Sequence, residues 1–124
     1  MDTIVECLCV GAGGAIGAIT RHLMGYLPLK HESGFPFITL LINIIGAFVI
    51  GLIVGFASKN ADMDPRLILF LKVGICGGFT TFSTFSLESS QLLTSGKWGL
   101  GGLYIFASVL LCVAAVLGAQ ALVK

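Results

Sequence analysis

Two long stretches without a charged residue constrain this chain most. Residues 33–58 and 98–123 contain no Asp, Glu, Lys or Arg and are almost entirely apolar. A helix needs about 20 mostly apolar residues to cross a bilayer, so each stretch is long enough to do so. The whole chain is 56% hydrophobic and 10% charged, whereas a soluble domain carries about 25% charged residues. The sequence therefore predicts an all-α, polytopic membrane protein.

Two further apolar stretches are interrupted by charge. The first has Glu6 and Arg21 near its ends, and the second contains Lys72 and Glu88. We expect the first to be retained, because its N-terminal flank is acidic and a signal peptide requires a basic one. Together the four stretches predict a single transmembrane domain over residues 1–124, with spans at about 4–26, 35–57, 66–93 and 98–122.

Six of the seven basic residues are divided equally between the two ends of the predicted spans, and the seventh, Lys72, lies inside the third span and is not counted. Three lie on the side of the termini and three on the other side: Lys59, Arg66 and Lys124, and Arg21, Lys30 and Lys97. An excess of Lys and Arg in cytoplasmic loops normally sets orientation, and no excess exists here. Either one orientation is weakly preferred, or the chain inserts both ways and forms an antiparallel homodimer. The net charge of +1 gives no reason to expect a nucleic-acid partner.

Glycines recur at the spacing that lets membrane helices approach closely. Three pairs are separated by three residues: Gly13 and Gly17, Gly51 and Gly55, Gly74 and Gly78. These pairs fit either a subunit interface or packing within one subunit.

The third span combines two glycines with hydroxyl and aromatic residues. Residues 77–86 read Gly-Gly-Phe-Thr-Thr-Phe-Ser-Thr-Phe-Ser. Adjacent glycines weaken a helix, so residues 77–86 are predicted to interrupt the helix of this span. Unpaired backbone at membrane depth survives only inside protein or beside a polar cavity, which indicates an ion or substrate site. The edges of Phe82 and Phe85, three residues apart, can contact an anion, although both rings also fit ordinary packing.

Polar side chains in the second and fourth spans recur at helical spacing. Thr39 and Asn43 share one face, and Tyr104, Ser108 and Cys112 share another. The amide of Asn43 can donate to an anion or join two helices. Tyr104 can face a pathway or anchor the helix at the membrane interface.

Other polar residues of the third span form a stripe if its helix resumes directly after the glycines: Thr80, Thr84, Glu88 and Gln91. The charges near the span ends either extend to the membrane surface or attract an ion in a vestibule; these are Arg21, Lys72 and Glu88.

With these residues the sequence resembles the Fluc (CrcB) family of fluoride ion channels. The segment at residues 77–86, followed by Glu88, is the most specific point of resemblance. Three other segments match in order across nearly the whole chain: residues 13–21, residues 39–43, and Tyr104 with Ser108.

The resemblance implies an antiparallel, dual-topology homodimer in the inner (plasma) membrane, with two pores that each use both subunits. It implies passive, selective fluoride efflux that lowers cytoplasmic fluoride. The fluoride pore would be lined by Asn43, Phe82, Phe85, Thr39, Ser83, Thr84, Tyr104 and Ser108.

Further roles follow from the same resemblance. Arg21 would lie at a vestibule. A structural sodium ion would lie at the dimer centre, bound by the backbone carbonyls of Gly77 and Thr80. Cys112 stands where a serine is expected to extend the polar track, so the track would end earlier in this chain.

Two other functions remain as alternatives. A small multidrug-type proton-coupled antiporter needs a carboxylate in the middle of the first span, whereas Glu6 is near its start and Glu88 lies in the third span. A non-transporting membrane assembly subunit accounts for the glycine pairs but not for the break with its polar donors. No enzyme activity is expected, because no catalytic constellation has a plausible spacing.

Overall fold

Four long helices make up the protein, seen in a computed structural model that describes residues 2–124. They are α1 (Thr3–Met24), α2 (Phe37–Lys59), the third span (Pro65–Thr94) and α6 (Trp98–Leu122), and each is long and apolar enough to cross a membrane. No β-strand occurs within residues 2–124. The prediction of an all-α protein with four spans is confirmed, and the helix bounds differ from the predicted span limits by at most two residues.

The third span is a composite of helical pieces. We call residues 65–79 the first half-span and α5 (Phe82–Thr94) the second half-span; Thr80 and Thr81 lie between them. The first half-span consists of three continuous pieces: α3 (Pro65–Ile68), a π-helical segment (Leu69–Cys76) and α4 (Gly77–Phe79). π-Helical turns inside α-helices are frequent at functional sites.

The glycine pairs bring helices together within the subunit. A Cβ placed on Gly13 of α1 would lie 2.9 Å from the Cα of Gly74 in the first half-span. A Cβ on Gly51 of α2 would lie 2.8 Å from the Cβ of Ala119 in α6. The other members of the three pairs make similar close contacts. Of the two interpretations of these pairs, packing within the subunit is therefore the one that the structure supports.

An aromatic cluster joins the second half-span to α6 and to the loop before α2. Phe35, Phe85, Leu92 and Tyr104 form a buried group. The ring of Tyr104 adjoins both phenylalanine rings, with its centroid 5.5 Å from that of Phe35 and 5.1 Å from that of Phe85. The cluster fixes the position of the second half-span immediately after the break.

Loop contacts follow from local sequence. Asp64 accepts a hydrogen bond from the N–H of Arg66 at 2.9 Å, and Pro65 occupies the first helical position, where it is favoured. On the opposite side, Lys97 Nζ donates to the carbonyl of Ser33 at 2.8 Å. This bond ties the loop before α2 to the loop before α6.

Candidate functional site

The helix of the third span is interrupted at two adjacent threonines. Thr80 (φ −79°, ψ 159°) and Thr81 (φ −148°, ψ 119°) are extended. The Thr81 hydroxyl accepts a hydrogen bond from the backbone N–H of Thr84 at 3.1 Å. Thr81 is therefore the N-cap of α5, a position that favours threonine. The predicted break is present, and it consists of a helix end followed by a capped helix start.

The break lies within residues 77–86, as predicted, but beyond the two glycines. Gly77 is helical, with φ −63° and ψ −36°. A Cβ on Gly78 would lie 2.9 Å from the Cα of Gly14, so this glycine permits the close approach of α1. The two glycines do not themselves interrupt the helix, because packing against α1 outweighs the low helix propensity of glycine.

Asn43 of α2 binds the backbone at the break through both ends of its amide. Its Nδ2 donates to the carbonyl of Thr81 at 3.1 Å, and its Oδ1 accepts from the N–H of Thr81 at 2.8 Å. The amide therefore satisfies both backbone groups of Thr81, which belong to two successive peptide units at the break. Because Nδ2 carries two protons, one N–H remains for another acceptor.

This arrangement leaves three backbone carbonyls at the break without a donor, those of Gly77, Phe79 and Thr80. In a continuous helix Gly77 would accept from the N–H of Thr81, but that N–H donates to Asn43. Thr80 would accept from the N–H of Thr84, which donates to the Thr81 hydroxyl. Phe79 would accept from the N–H of Ser83, and that bond is absent. No other donor reaches these three carbonyls within residues 2–124.

A cleft of about 470 Å³ lies beside the break, between α2, the third span and α6. Its wall includes four of the predicted pore residues, together with both carbonyl-bearing residues of the predicted sodium site. The four pore residues are Asn43, Phe82, Phe85 and Ser108. Lys72, in the π-helical segment, is the charged residue of this wall among the residues that the structure describes.

Ser108 carries an unusual polar group in the cleft wall. Its side chain is 5% exposed, and its Oγ has no hydrogen-bond partner in the part of the chain that the structure describes. Buried hydroxyls nearly always have a partner, so a ligand from outside the chain would satisfy this one. Cys112, one turn farther along α6, lines the same cleft.

Phe82 and Phe85 adjoin each other but differ in environment. Their ring centroids are 5.5 Å apart and the rings are tilted by 47°. Phe82 is 77% exposed, whereas Phe85 is 8% exposed and packs in the aromatic cluster. The chain itself therefore covers only one of the two rings.

Tyr104 is fully buried, and its hydroxyl donates to Glu88 Oε1 at 3.0 Å. It does not serve as an interfacial anchor, which was one of the two interpretations from sequence. The partnership with Glu88 was not predicted. The nearest signal in the sequence is the presence of a carboxylate and a tyrosine in adjacent apolar spans.

Three other predicted pore residues lie around the cleft but do not line it. Thr39 is buried one helical turn before Asn43. The Ser83 hydroxyl lies 3.3 Å from that of Thr81, and Thr84 contributes the N–H that Thr81 caps.

Arg21 of α1 contacts the end of the first half-span. Its Nε donates to the carbonyl of Gly78 at 3.2 Å, and the contact is partly buried. The side chain thus joins two spans next to the break.

Comparison with known proteins agrees with this architecture. The chain is 42% identical to the protein named "Fluoride-specific ion channel FluC" from Koribacter versatilis, over 98% of this chain and 97% of that protein. Proteins with the same name from Ruminiclostridium cellulolyticum and Agrobacterium fabrum are 42% and 40% identical, over 100% and 96% of this chain and 96% of each relative.

A protein-family model described as "CrcB-like protein, Camphor Resistance (CrcB)" matches residues 8–120. That range contains the break, the cleft and every residue of the candidate site. The chain therefore belongs to the CrcB-like protein family.

Proposed function

We infer that this protein is a fluoride-specific ion channel of the inner membrane that lets fluoride leave the cell passively and electrogenically, and so lowers cytoplasmic fluoride. Curated relatives that align with nearly the whole chain carry that name. The observation that carries the inference is the unpartnered, buried hydroxyl of Ser108 in a cleft beside a broken membrane helix.

The chemistry of the cleft suits a small, strongly hydrated anion. A pore must replace the water around fluoride with several donors, yet bind the ion weakly enough to release it. The O–H of Ser108 and the second N–H of Asn43 are neutral donors in one cleft. The edges of Phe82 and Phe85 add weak positive potential without a fixed charge. Such a set attracts an anion without the deep trap that a buried ammonium or guanidinium group would create.

The finer assignments of the predicted pore are part of this proposal. Ser83, Thr84, Thr39 and Tyr104 extend the polar surface away from the cleft. Glu88 holds Tyr104 in place, because it accepts a hydrogen bond from the Tyr104 hydroxyl.

We propose that two copies assemble as an antiparallel homodimer. Phe82 is 77% exposed although it borders the cleft, so a second subunit is needed to cover the ring and close the pathway. The equal division of basic residues between the two sides of the membrane supports insertion in both orientations.

We also propose a structural sodium ion at the centre of this dimer. The carbonyls of Gly77 and Thr80 have no donor within residues 2–124, and hard cations prefer oxygen ligands of this kind. These two residues would hold the ion through their backbone carbonyls, and its positive charge would offset the missing hydrogen-bond donors.

The test of function is fluoride efflux from liposomes that contain the purified protein, measured with a fluoride electrode after addition of valinomycin. We expect rapid efflux that requires the ionophore, no comparable chloride efflux, and no response to a proton gradient. The matched variants are Phe82→Ile, at the cleft, and Phe106→Ile, on an exposed face of α6. Equal efflux from both variants, or an absence of fluoride efflux from folded wild-type protein, would contradict the proposal.

Topology is tested separately by labelling. A cysteine at Asn60, in the loop after α2, is introduced into a chain whose four native cysteines are replaced by serine. An impermeant maleimide should label about half of the protein from each side of the membrane. Labelling from one side alone would rule out the antiparallel arrangement.

A further inference from the structure

The carbonyl of Gly78 is one of the groups that the break deprives of a partner. In a continuous helix it would accept from the N–H of the residue four positions later, which is Phe82. Phe82 is the first residue of α5, and no bond between these two groups exists within residues 2–124. A carbonyl at this depth requires a donor from elsewhere in the protein.

Arg21 supplies that donor from another span. Its Nε lies 3.2 Å from the carbonyl oxygen of Gly78, across 57 positions of sequence. The reach is possible because α1 and the first half-span are in backbone contact one turn earlier. A Cβ on Gly17 would lie 2.8 Å from the backbone nitrogen of Phe79, and Arg21 follows Gly17 on the same helical face.

We propose that Arg21 is a positioning residue that caps the first half-span through its Nε–H, and that its charge is secondary to this role. Asn43 bonds the N–H and the carbonyl of Thr81 in the same break. The two side chains thus determine which carbonyls of the break are bonded and which have no donor. Any effect of Arg21 on fluoride flux rests on the proposed channel function, whereas the hydrogen bond from Arg21 to the carbonyl of Gly78 does not.

Substitutions of Arg21 can remove its hydrogen-bond donor and its positive charge independently, because the donor and the charge depend on different atoms of the side chain. In glutamine an amide N–H is attached to Cδ, the same atom that carries Nε in arginine. Arg21→Gln therefore keeps a donor at the capping position and removes the charge. Arg21→Lys keeps the charge but places a methylene where Nε was. Arg21→Met keeps neither.

The experiment measures the apparent melting temperature of each variant in detergent, and then the fluoride efflux rate and the fluoride-to-chloride flux ratio of the folded protein. We expect Arg21→Gln to retain the melting temperature, the rate and the ratio of the wild type. We expect Arg21→Lys and Arg21→Met to melt earlier, because the carbonyl of Gly78 loses its donor, and the folded variants to conduct fluoride more slowly and to discriminate less against chloride.

The opposite order would overturn the proposal. If Arg21→Lys behaves as the wild type, while Arg21→Gln conducts more slowly than the wild type at low salt and equally at high salt, Arg21 acts through its charge. Equal behaviour of all three variants and the wild type would also overturn it. If Arg21→Met does not fold, the comparison of Arg21→Gln with Arg21→Lys still shows whether the hydrogen-bond donor or the charge matters. If the wild type passes no fluoride, the melting temperatures still test the cap, and only the channel function fails.

Discussion

Replacement of Asn43 by alanine tests how much of the break is maintained by a single side chain. The substitution removes the two hydrogen bonds that the amide makes with Thr81, at 3.1 and 2.8 Å. A neutral hydrogen bond contributes about 0.5–1.5 kcal/mol net, and a buried group left without a partner costs about 1–3 kcal/mol. The N–H and the carbonyl of Thr81 are partly buried, so we expect Asn43→Ala to lower the free energy of unfolding by about 2–3 kcal/mol.

A charged substitution at Asn43 separates the structural role from the pore role. In Asn43→Asp one carboxylate oxygen can still accept from the N–H of Thr81, but the other faces the Thr81 carbonyl and repels it. The negative charge also lies in the wall of the cleft. We therefore expect Asn43→Asp to lose fluoride efflux almost completely, even in preparations in which the folded fraction is restored.

The assay is reversible unfolding by SDS in mixed micelles, followed by efflux from liposomes. The control is Asn60→Ala, which removes one exposed hydrogen bond at the end of α2, from Nδ2 to the carbonyl of Phe56 at 2.9 Å. We expect the control to cost under about 1 kcal/mol and to leave efflux unchanged. If Asn43→Ala unfolds with the same midpoint as this control, the amide does not hold the break and the reasoning fails.

Three further outcomes follow from the burial or the charge of residues in the cleft wall. Phe82→Ile should leave the stability of the subunit unchanged because the ring is exposed, whereas Phe85→Ile should lower the free energy of unfolding by about 1–2 kcal/mol through lost packing. Both substitutions should reduce fluoride efflux. Normal efflux from both variants would show that the two rings do not line the pore. Ser108→Ala should not lower stability, because it deletes a buried hydroxyl without a partner, but it should slow efflux; a loss of stability would reveal a partner within the protein. Lys72→Met should slow efflux at 0.01 M salt and not at 1 M, as the Debye length falls from about 30 to about 3 Å; a deficit at both concentrations would argue against an electrostatic role.

The spans were predictable because the bilayer imposes a strong constraint on composition. The charge-free stretches became α2 and α6, and the charge-interrupted ones became α1 and the third span. The stripe of Tyr104 and Ser108 was also predictable, since both are buried on α6 at a spacing of one turn. These features depend on length and periodicity, which are local properties of the sequence.

The position of the break was not predictable from local propensity. Gly77 and Gly78 look like helix breakers, but the helix continues through both. The available signal was Thr81 followed by Thr84, since a threonine that precedes a helix commonly caps it. The predicted stripe of third-span residues is divided for the same reason, because Thr80 ends one helical piece and Thr84 belongs to the next.

Contacts between residues that are distant in sequence could not be predicted from sequence patterns. The bond between Tyr104 and Glu88 joins α6 to α5, and the bond between Arg21 and Gly78 joins α1 to the first half-span. Spacing along one helix identifies residues on a common face, but it does not identify which face of another helix lies opposite. Only the packing of the spans determines such pairs.

The break is consequently maintained by three spans, and its own sequence supplies only one of the contacts. Thr81 caps the helix that follows, Asn43 of α2 bonds the N–H and the carbonyl of Thr81, and Arg21 of α1 bonds the carbonyl of Gly78. None of these contacts uses the carbonyls of Gly77 and Thr80 or the hydroxyl of Ser108, which are left as free polar groups beside the cleft. Satisfying some groups from neighbouring spans while leaving others free is how a membrane protein can expose polar atoms to an ion without losing its fold. A substitution far from the cleft, such as Gly17→Ala, should therefore disturb the site, because it separates α1 from Phe79 and withdraws the donor of Arg21.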